Sequence, residues 1–473
     1  MQRFRFFILA ICLYGHVVAQ NITDIVYMNS PVLLGTPRFA ATGGAFTALG
    51  NDFSGMLVNP AGLAVFRHDE FGLSMGFASS TAASTYYGIN QSRNDNSFLF
   101  SNIGYTKKFF TDDPDVTWNI AIAYNRNSDF SNEQQVYGEN PNSSILQSWI
   151  NSANGTAAND LFNAGLIYEA LAYETFLIDP IANEQYTTEA KFNTTEQFWS
   201  ENIKGHFDEL SFAVALDQNS KVYYGASINI PFYKYNSSYY YTEAGYQGDS
   251  ISGMEWSEEF SNRGAGINLK LGAVYRPVPN LRLGISIFTP TWLAITQTYS
   301  TTVSAIFKNS DSFTAQYEQG SSFKYTMFNA PQANVGLAYI FDKNGFLSLD
   351  YAFIPTKWTS TPTKELNYLD SDIDSYLLNQ HNIRVGAEIR ISSFFVRGGY
   401  NWLSNPYNVE GQDATKSTYS LGIGYRSNKI TIDISYAIQS HRQKYYPYDS
   451  SLVEAANQTI TQKPFIASVS FRL

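Results

Sequence analysis

The sequence predicts an all-β fold, an antiparallel transmembrane β-barrel of about 14 strands with an N-terminal plug, or hatch, inside its lumen. Three observations carry that expectation. Apolar and polar residues alternate with period two through most of the chain, which places them on opposite faces of a sheet. The connections between these segments are short and long in turn, as in outer-membrane barrels. Aromatic residues make up 16% of the chain, with 34 Tyr and 34 Phe, yet mean hydropathy is only −0.22. No apolar run beyond the N-terminus approaches the roughly 18 residues of a membrane helix, so a chain this polar spans a bilayer only by alternation.

The N-terminal residues read as an export signal. Arg3 and Arg5 precede an apolar run from Phe6 to Tyr14, and Val17-Val18-Ala19 fits a cleavage site, so 1–19 is the expected signal peptide and Gln20 the mature N-terminus. Cys12 follows Ile11 where a lipobox needs a small residue, which argues against lipidation. It is the only cysteine, so the exported chain has neither a disulfide nor a cysteine metal site.

Residues 20–66 do not alternate. Ala40, Ala41, Gly43, Gly44, Ala45, Ala48 and Gly50 allow close backbone packing, which suits a compact insert better than a lipid-facing strand. Phe39, Phe46, Leu49, Phe53, Met56, Leu57, Val58 and Leu63 are too apolar for a disordered tail. The segment is therefore expected to fold as the plug, with residues 67–473 forming the barrel.

Within the barrel, Ile383, Val385, Ala387, Ile389 and Ile391 share one face, while Arg384, Gly386, Glu388 and Arg390 share the other. Tyr419, Leu421, Ile423 and Tyr425 oppose Ser420, Gly422, Gly424 and Arg426, and Ile432, Ile434 and Tyr436 oppose Thr431, Asp433 and Ser435. A soluble sandwich alternates too. Recurrence along the chain, and Tyr and Trp near the ends of the greasy faces (Tyr124, Tyr275, Trp292, Trp358, Tyr400, Trp402), favour a barrel with interfacial girdles. Short turns are expected at 111–115, 217–220, 276–280, 342–345, 392–393 and 427–428. Long outer loops are expected at 79–97, 129–208, 236–262, 301–323, 360–378, 404–416 and 441–463. An even strand count leaves both termini periplasmic. The longest loop, 129–208, contains helix-like stretches at 143–152, 158–175 and 195–204, suited to a lid or a binding surface. The last strand ends with Phe465, Ala467, Val469, Phe471 and Leu473 on one face, resembling the signal read by the outer-membrane insertion machinery.

The run Ala41-Thr42-Gly43-Gly44-Ala45-Phe46-Thr47-Ala48-Leu49-Gly50-Asn51-Asp52, followed by Asn59-Pro60-Ala61-Gly62-Leu63-Ala64, resembles the hatch of the FadL/TodX (OmpP1) family of outer-membrane hydrophobic-compound channels. The resemblance implies passive uptake of fatty acid-like or aromatic compounds, with hatch residues Gly43, Gly44, Asn59, Pro60, Ala61 and Gly62 in gating. It makes Phe46, Phe53, Met56, Leu57 and Val58 candidate ligand contacts, and implies lateral escape at an inward kink of the third strand. Pro60 fixes its own φ and biases Asn59 towards an extended backbone, so the same motif also reads as a rigid turn. Trp118–Tyr124 contains no Gly or Pro to kink that strand, and Asn125-Arg126-Asn127 is the nearest irregularity. The inward faces carry Lys270, Arg276, Asp350, Arg384, Glu388, Arg390, Arg397, Asp433 and Arg472, of which Arg384, Glu388, Arg390, Arg397 and Asp433 are the expected lumen charge network. The polar lumen, unbroken third strand and large helical loop favour an alternative, a FadL-like barrel serving as a scaffold subunit of an outer-membrane assembly or secretion complex.

The expected partners are outer-membrane lipid, a hydrophobic small molecule, the insertion machinery through the C-terminal strand, and proteins of a larger complex. Nucleic acid is not expected, because the formal charge is −10 with no basic stripe. Catalysis, cofactors and metals are not expected either. His16, His68, His206, His381 and His441 are scattered with no second histidine at i+3 or i+4. Gly264-Ala265-Gly266 and Gly422-Ile423-Gly424 lack the third glycine of a phosphate loop, and no Gly-x-Ser-x-Gly elbow occurs.

Overall fold

The alternation is satisfied by a closed ring of 14 antiparallel strands, seen in a computed structural model that describes residues 22–29, 34–309 and 311–473. The expected signal peptide, 1–19, and the mature start at Gln20 lie outside the described residues. The ring runs β1 (Glu70–Tyr86), β2 (Ile89–Phe110), β3 (Val116–Asp129, continued by Asn132–Asn140), β4 (Thr195–Gln218), β5 (Val222–Ala244) and β6 (Ile251–Val278). It continues with β7 (Leu281–Phe288 and Thr291–Phe307) and β8 (Ser312–Glu318, Phe323–Asn329 and Gln332–Ile340). β9 (Gly345–Ile354), β10 (Gln380–Ile391), β11 (Phe394–Leu403), β12 (Lys416–Arg426), β13 (Ile430–Tyr445) and β14 (Ala456–Arg472) complete it. β14 closes on β1 in register from Glu70↔Arg472 to Thr85↔Asn457. The breaks within β7 and β8 fall side by side at Thr289-Pro290 and Ala330-Pro331, where proline removes a ladder donor.

The outward face is apolar: Ile285, Leu337, Leu349, Ile389, Leu421, Ile423 and Ile432 are all exposed. An apolar exterior with buried polar residues inside inverts the soluble pattern and marks an outer-membrane-type barrel. Among the described residues no helix is long and apolar enough to cross a membrane.

Several expected loops are strand. Tyr87-Gly88 is the whole connection between β1 and β2, β5 and β6 run on through most of 236–262, and β7 and β8 through most of 301–323. Their residues alternate small hydroxyls and amides with aromatics, so the sequence looks polar and loop-like although the ladder continues. The stretch 195–204, expected as helix, is the start of β4, held between β3 and β5 by Trp199↔Val136 and Trp199↔Tyr241. Its glutamates favour helix locally, but ladder pairing on both sides overrides that preference. After two helices nearer the N-terminus, α1 (Ile22–Asn29) and α2 (Pro37–Ala41), the other two helix-like stretches overlap α3 (Ile145–Ala153) and α4 (Ile167–Glu174).

α3 and α4 cap the barrel through a core that includes Leu146, Trp149, Leu171, Trp199, Tyr241 and Met254. Buried Glu243 of β5 is the polar centre of this cap. It accepts hydrogen bonds from Gln197 Nε2 at 2.7 Å, Tyr246 OH at 2.6 Å and Ile145 N at 2.9 Å, and from Ser144 Oγ, the cap residue of α3. A carboxylate at a helix N-terminus meets both the free N–H groups and the helix dipole.

Candidate functional site

Residues 34–66 contribute no strand to the ring. They form one short helix, Pro37–Ala41, and 3₁₀ turns at Ser54–Leu57 and Pro60–Val65. Their partners lie on strands from all round the ring: Gly35 on β2, Asn59 on β6 and β7, Thr47 on β9, Arg38 on β10, Ala41 on β12. Upstream, helix Ile22–Asn29 packs with helix Asn367–Tyr376 among Phe207, Tyr233, Leu293, Ile295 and Met327. Its Asp24 accepts hydrogen bonds from Tyr233 OH and Asn262 Nδ2.

The wall is built to receive residues 34–66. Four cross-strand glycine pairs face inward, Gly72↔Gly104, Gly225↔Gly272, Gly284↔Gly336 and Gly386↔Gly399. Each is occupied. A Cβ on Gly104 would lie 2.6 Å from the Phe53 ring, and one on Gly272 only 1.8 Å from Asn59 Oδ1. Gly225 lies under Ala61, Gly284 and Gly336 under Thr47 and Ala48, and Gly386 and Gly399 under Thr42 and Gly43. Side chains at these positions would hold the segment off the wall.

The sequence-predicted gating residues sit at two places on that wall, Gly43 against β10 and β11 and Asn59 to Ala61 against β5, β6 and β7. Gly43 and Gly44 have φ of 63° and 71°, the left-handed region glycine adopts freely. Asn59 is fully buried; its Oδ1 accepts from Ala61 N at 3.0 Å, and its Nδ2 donates to Thr47 O at 2.6 Å and Ala273 O at 3.2 Å. Lys270, itself paired with Glu209 at 2.5 Å, donates to Leu57 O, and Ser286 Oγ donates to Val58 O. Asn59, Pro60, Ala61 and Gly62 thus form a turn fastened flat against β5, β6 and β7. Of the candidate ligand contacts, Phe46, Phe53, Met56 and Val58 are buried in packing against the wall and Leu57 is partly buried.

Of the five expected network charges, Glu388, Arg397 and Asp433 form one linked group, joined by Arg38, while Arg384 pairs separately and Arg390 stands apart. Arg397 bridges Glu388 at 2.7 Å and Asp433 at 2.6 Å, and Glu388 also pairs with Arg38 of the inserted segment at 3.0 Å. Arg384 lies 3.8 Å from Asp350, whose carboxylate accepts from Thr47 N at 2.7 Å. Arg390 is outside the network: it is exposed near the turn and donates to Ser392 O. Its inward parity was legible, but the last residues of a strand have passed beyond the inserted segment. Arg38 was missed, although an arginine amid Pro, Phe and Ala is itself a sign of a buried ion pair.

The wall is discontinuous in one place. β2 and β3 pair from Phe110↔Thr117 to Asn102↔Asn125 and then part. β3 has a bulge between Arg126 and Ser128, and its continuation pairs with β4 alone. Asn132 accepts from Ser80 Oγ of β1, and Gln134 from Gln443 of β13, so the continuation runs across the inner faces of those strands. Along Ile89–Ser101 the β3-side edge of β2 has no ladder partner among the described residues. Charges span the resulting seam. Lys204 of β4 reaches Asp95 of β2 at 2.5 Å, while on the β3 and β4 side Arg126 pairs with Asp208 at 3.0 Å and Asp129 at 3.5 Å. Beside it the lipid-facing wall has an apolar hollow of about 920 Å³, lined by residues including Tyr105, Ile120, Ile122, Phe212, Ile228 and Leu271. Behind the hollow, Ala121 and Ala213 belong to the same packed cluster as Phe53, Ala61 and Leu63.

Comparison with solved structures places this architecture. The toluene transporter TodX of P. putida aligns over 93% of this chain and 99% of its own, with TM-score 0.55 and 12% identity. A Pseudomonas aeruginosa FadL homologue covers the same shares at TM-score 0.55 and 11% identity. This chain has the FadL/TodX barrel fold. The Ralstonia pickettii toluene transporter TbuX aligns at TM-score 0.51 and 15% identity, again over 93% and 99%. No family model and no curated protein matches the sequence. These FadL/TodX-fold structures are of transporters and channels, none of them an enzyme.

Proposed function

We propose that this chain is an outer-membrane channel of FadL type for passive uptake of small hydrophobic compounds, with residues 34–66 as the gating hatch. The observation that carries the reading is the seam. The lumen is filled by a segment tied to the wall through ion pairs and buried amides, a poor axial route for an apolar solute. Where β3 leaves β2, by contrast, the wall is held by side chains rather than ladder bonds, next to an apolar hollow. A sideways exit there keeps an apolar solute out of the charged lumen. Movement of the Asn59–Gly62 turn off Gly225 and Gly272 would open the wall from inside. The termini face the periplasm in this reading, with β14 entering through the insertion machinery.

Uptake of a radiolabelled fatty acid or toluene by cells expressing Asp95→Cys/Lys204→Cys tests it. A short bis-maleimide across the seam should reduce uptake at least tenfold, while the uncoupled variant stays near wild type. Equal uptake after cross-linking sinks the lateral route. The alternative, a scaffold subunit of an outer-membrane assembly or secretion complex, is favoured by the ion-paired lumen. It predicts stoichiometric partner proteins on purification and no uptake by any variant.

A further inference from the structure

Above the lipid-facing belt, the outward surface of four adjacent strands changes character. In register across β13, β14, β1 and β2, Tyr436, Phe465, Phe77 and Phe98 form one exposed aromatic row. Such rows sit at the membrane interface. Six residues further out on the same face the row is Arg442, Thr459, Ala83 and Ser92, and the next is Lys444, Asn457, Thr85 and Asn90. At about 3.3 Å per residue these rows begin roughly 20 Å along the strands beyond the aromatics. Loop 411–413 folds over their edge, where Gln412 bonds both the N–H and the carbonyl of Lys444 at 3.1 and 2.9 Å. The result is a polar groove of about 690 Å³. Among the described residues neither Arg442 nor Lys444 has a carboxylate within 4.0 Å; the groove's Asp413 accepts from Thr415 of its own loop at 2.6 Å and meets Arg442 only at longer range.

We propose that this groove binds the phosphorylated sugar headgroup of a glycolipid in the surrounding outer leaflet. The two cations match phosphate, and the amides and hydroxyls on small side chains lining the groove match sugar hydroxyls. The lipid-linked source is favoured because the groove continues the membrane-facing wall, with the aromatic row below it at the level where acyl chains begin. The proposal is independent of transport.

The test is binding of rough-type lipopolysaccharide to the full chain in detergent, measured by microscale thermophoresis. Arg442→Ala and Lys444→Ala should each weaken binding about fivefold, with unchanged thermal unfolding because both side chains are exposed. Thr85→Trp, which fills the groove without removing charge, should weaken it as well. Unchanged binding in the double cation variant, or equal affinity for the dephosphorylated glycolipid, overturns the proposal. Delipidated core oligosaccharide binding as tightly as the intact glycolipid overturns the assignment to the leaflet.

Discussion

At the scale of single residues, a missing side chain is as informative as a present one. Gly272 leaves room for the Asn59 amide, and a methyl group there would collide with it. Gly272→Ala is therefore expected to destabilise the docked segment by about 1–3 kcal/mol. Faster protease cleavage within 34–66, with the barrel still folded in a gel-shift assay, would register the change. Arg397 joins two carboxylates within the wall, so Arg397→Met should cost about 3–5 kcal/mol by leaving Asp433 buried without its ion-pair partner while Glu388 keeps Arg38, whereas Arg390→Met should be nearly silent. Denaturant midpoints compare the two directly. In the α3–α4 cap, burial raises the carboxyl of Glu169 from 4.5 to about 7. The folded loop then holds a proton that the unfolded loop releases, so loop stability falls as pH rises from about 4.5 to 7 and levels off above. Hydrogen exchange corrected for intrinsic rates should show that slope across α3 and α4, and Glu169→Gln should flatten it. Glu388, Arg397, Asp433 and the Asn59-Pro60 turn were legible from parity and local motif, whereas Arg38 was not. The glycine pairs were not, because a glycine's partner across a ladder is set by register, which one sequence does not display.

At the scale of elements, β3 was legible in its lower half and misleading in its upper half. Trp118–Tyr124 alternates cleanly and pairs on both sides. Asn125, Arg126 and Asn127 looked too slight an irregularity to redirect a strand, yet the bulge falls there and the ladder to β2 ends. The cause is tertiary: inward-facing polar partners on β1 and β13, Ser80 and Gln443, draw the continuation inward. Unpaired backbone is not tolerated in hydrocarbon, so the parted section of β2 belongs at and beyond the interface. Its amides are expected to exchange faster at 89–101 than at 102–110, because those on the β3 side lack ladder bonds; uniform protection would contradict the seam. The same limit explains 195–204, where a helix-like composition yields to two neighbouring strands.

For the whole molecule, architecture was far more legible than activity. Period-two alternation is a property of a barrel in a bilayer, and the barrel fold itself is shared with TodX, TbuX and a FadL homologue at identities of only 11–15%. What moves through a barrel depends instead on which inner positions meet the inserted segment. Residues 34–66 supply much of the lumen's filling, so a chain lacking them should keep its strands yet conduct ions in a planar bilayer, whereas the full chain should be nearly silent. Equal conductance of the two chains would show that the segment does not seal the lumen.

β6 spans 28 residues, about 90 Å of strand at 3.3 Å per residue, or roughly 65 Å of height at a tilt near 45°. Less than half of that fits within the hydrocarbon of a bilayer about 30 Å thick. In the proposed orientation, with both termini periplasmic, the α3–α4 cap stands well clear of the bilayer, as a turret above the cell surface. Antibodies and phage tail fibres would meet this turret first, while the seam and the hollow near its foot stay shielded by the surface around it. Selection by such agents can reshape the summit of the molecule without touching the machinery at its base.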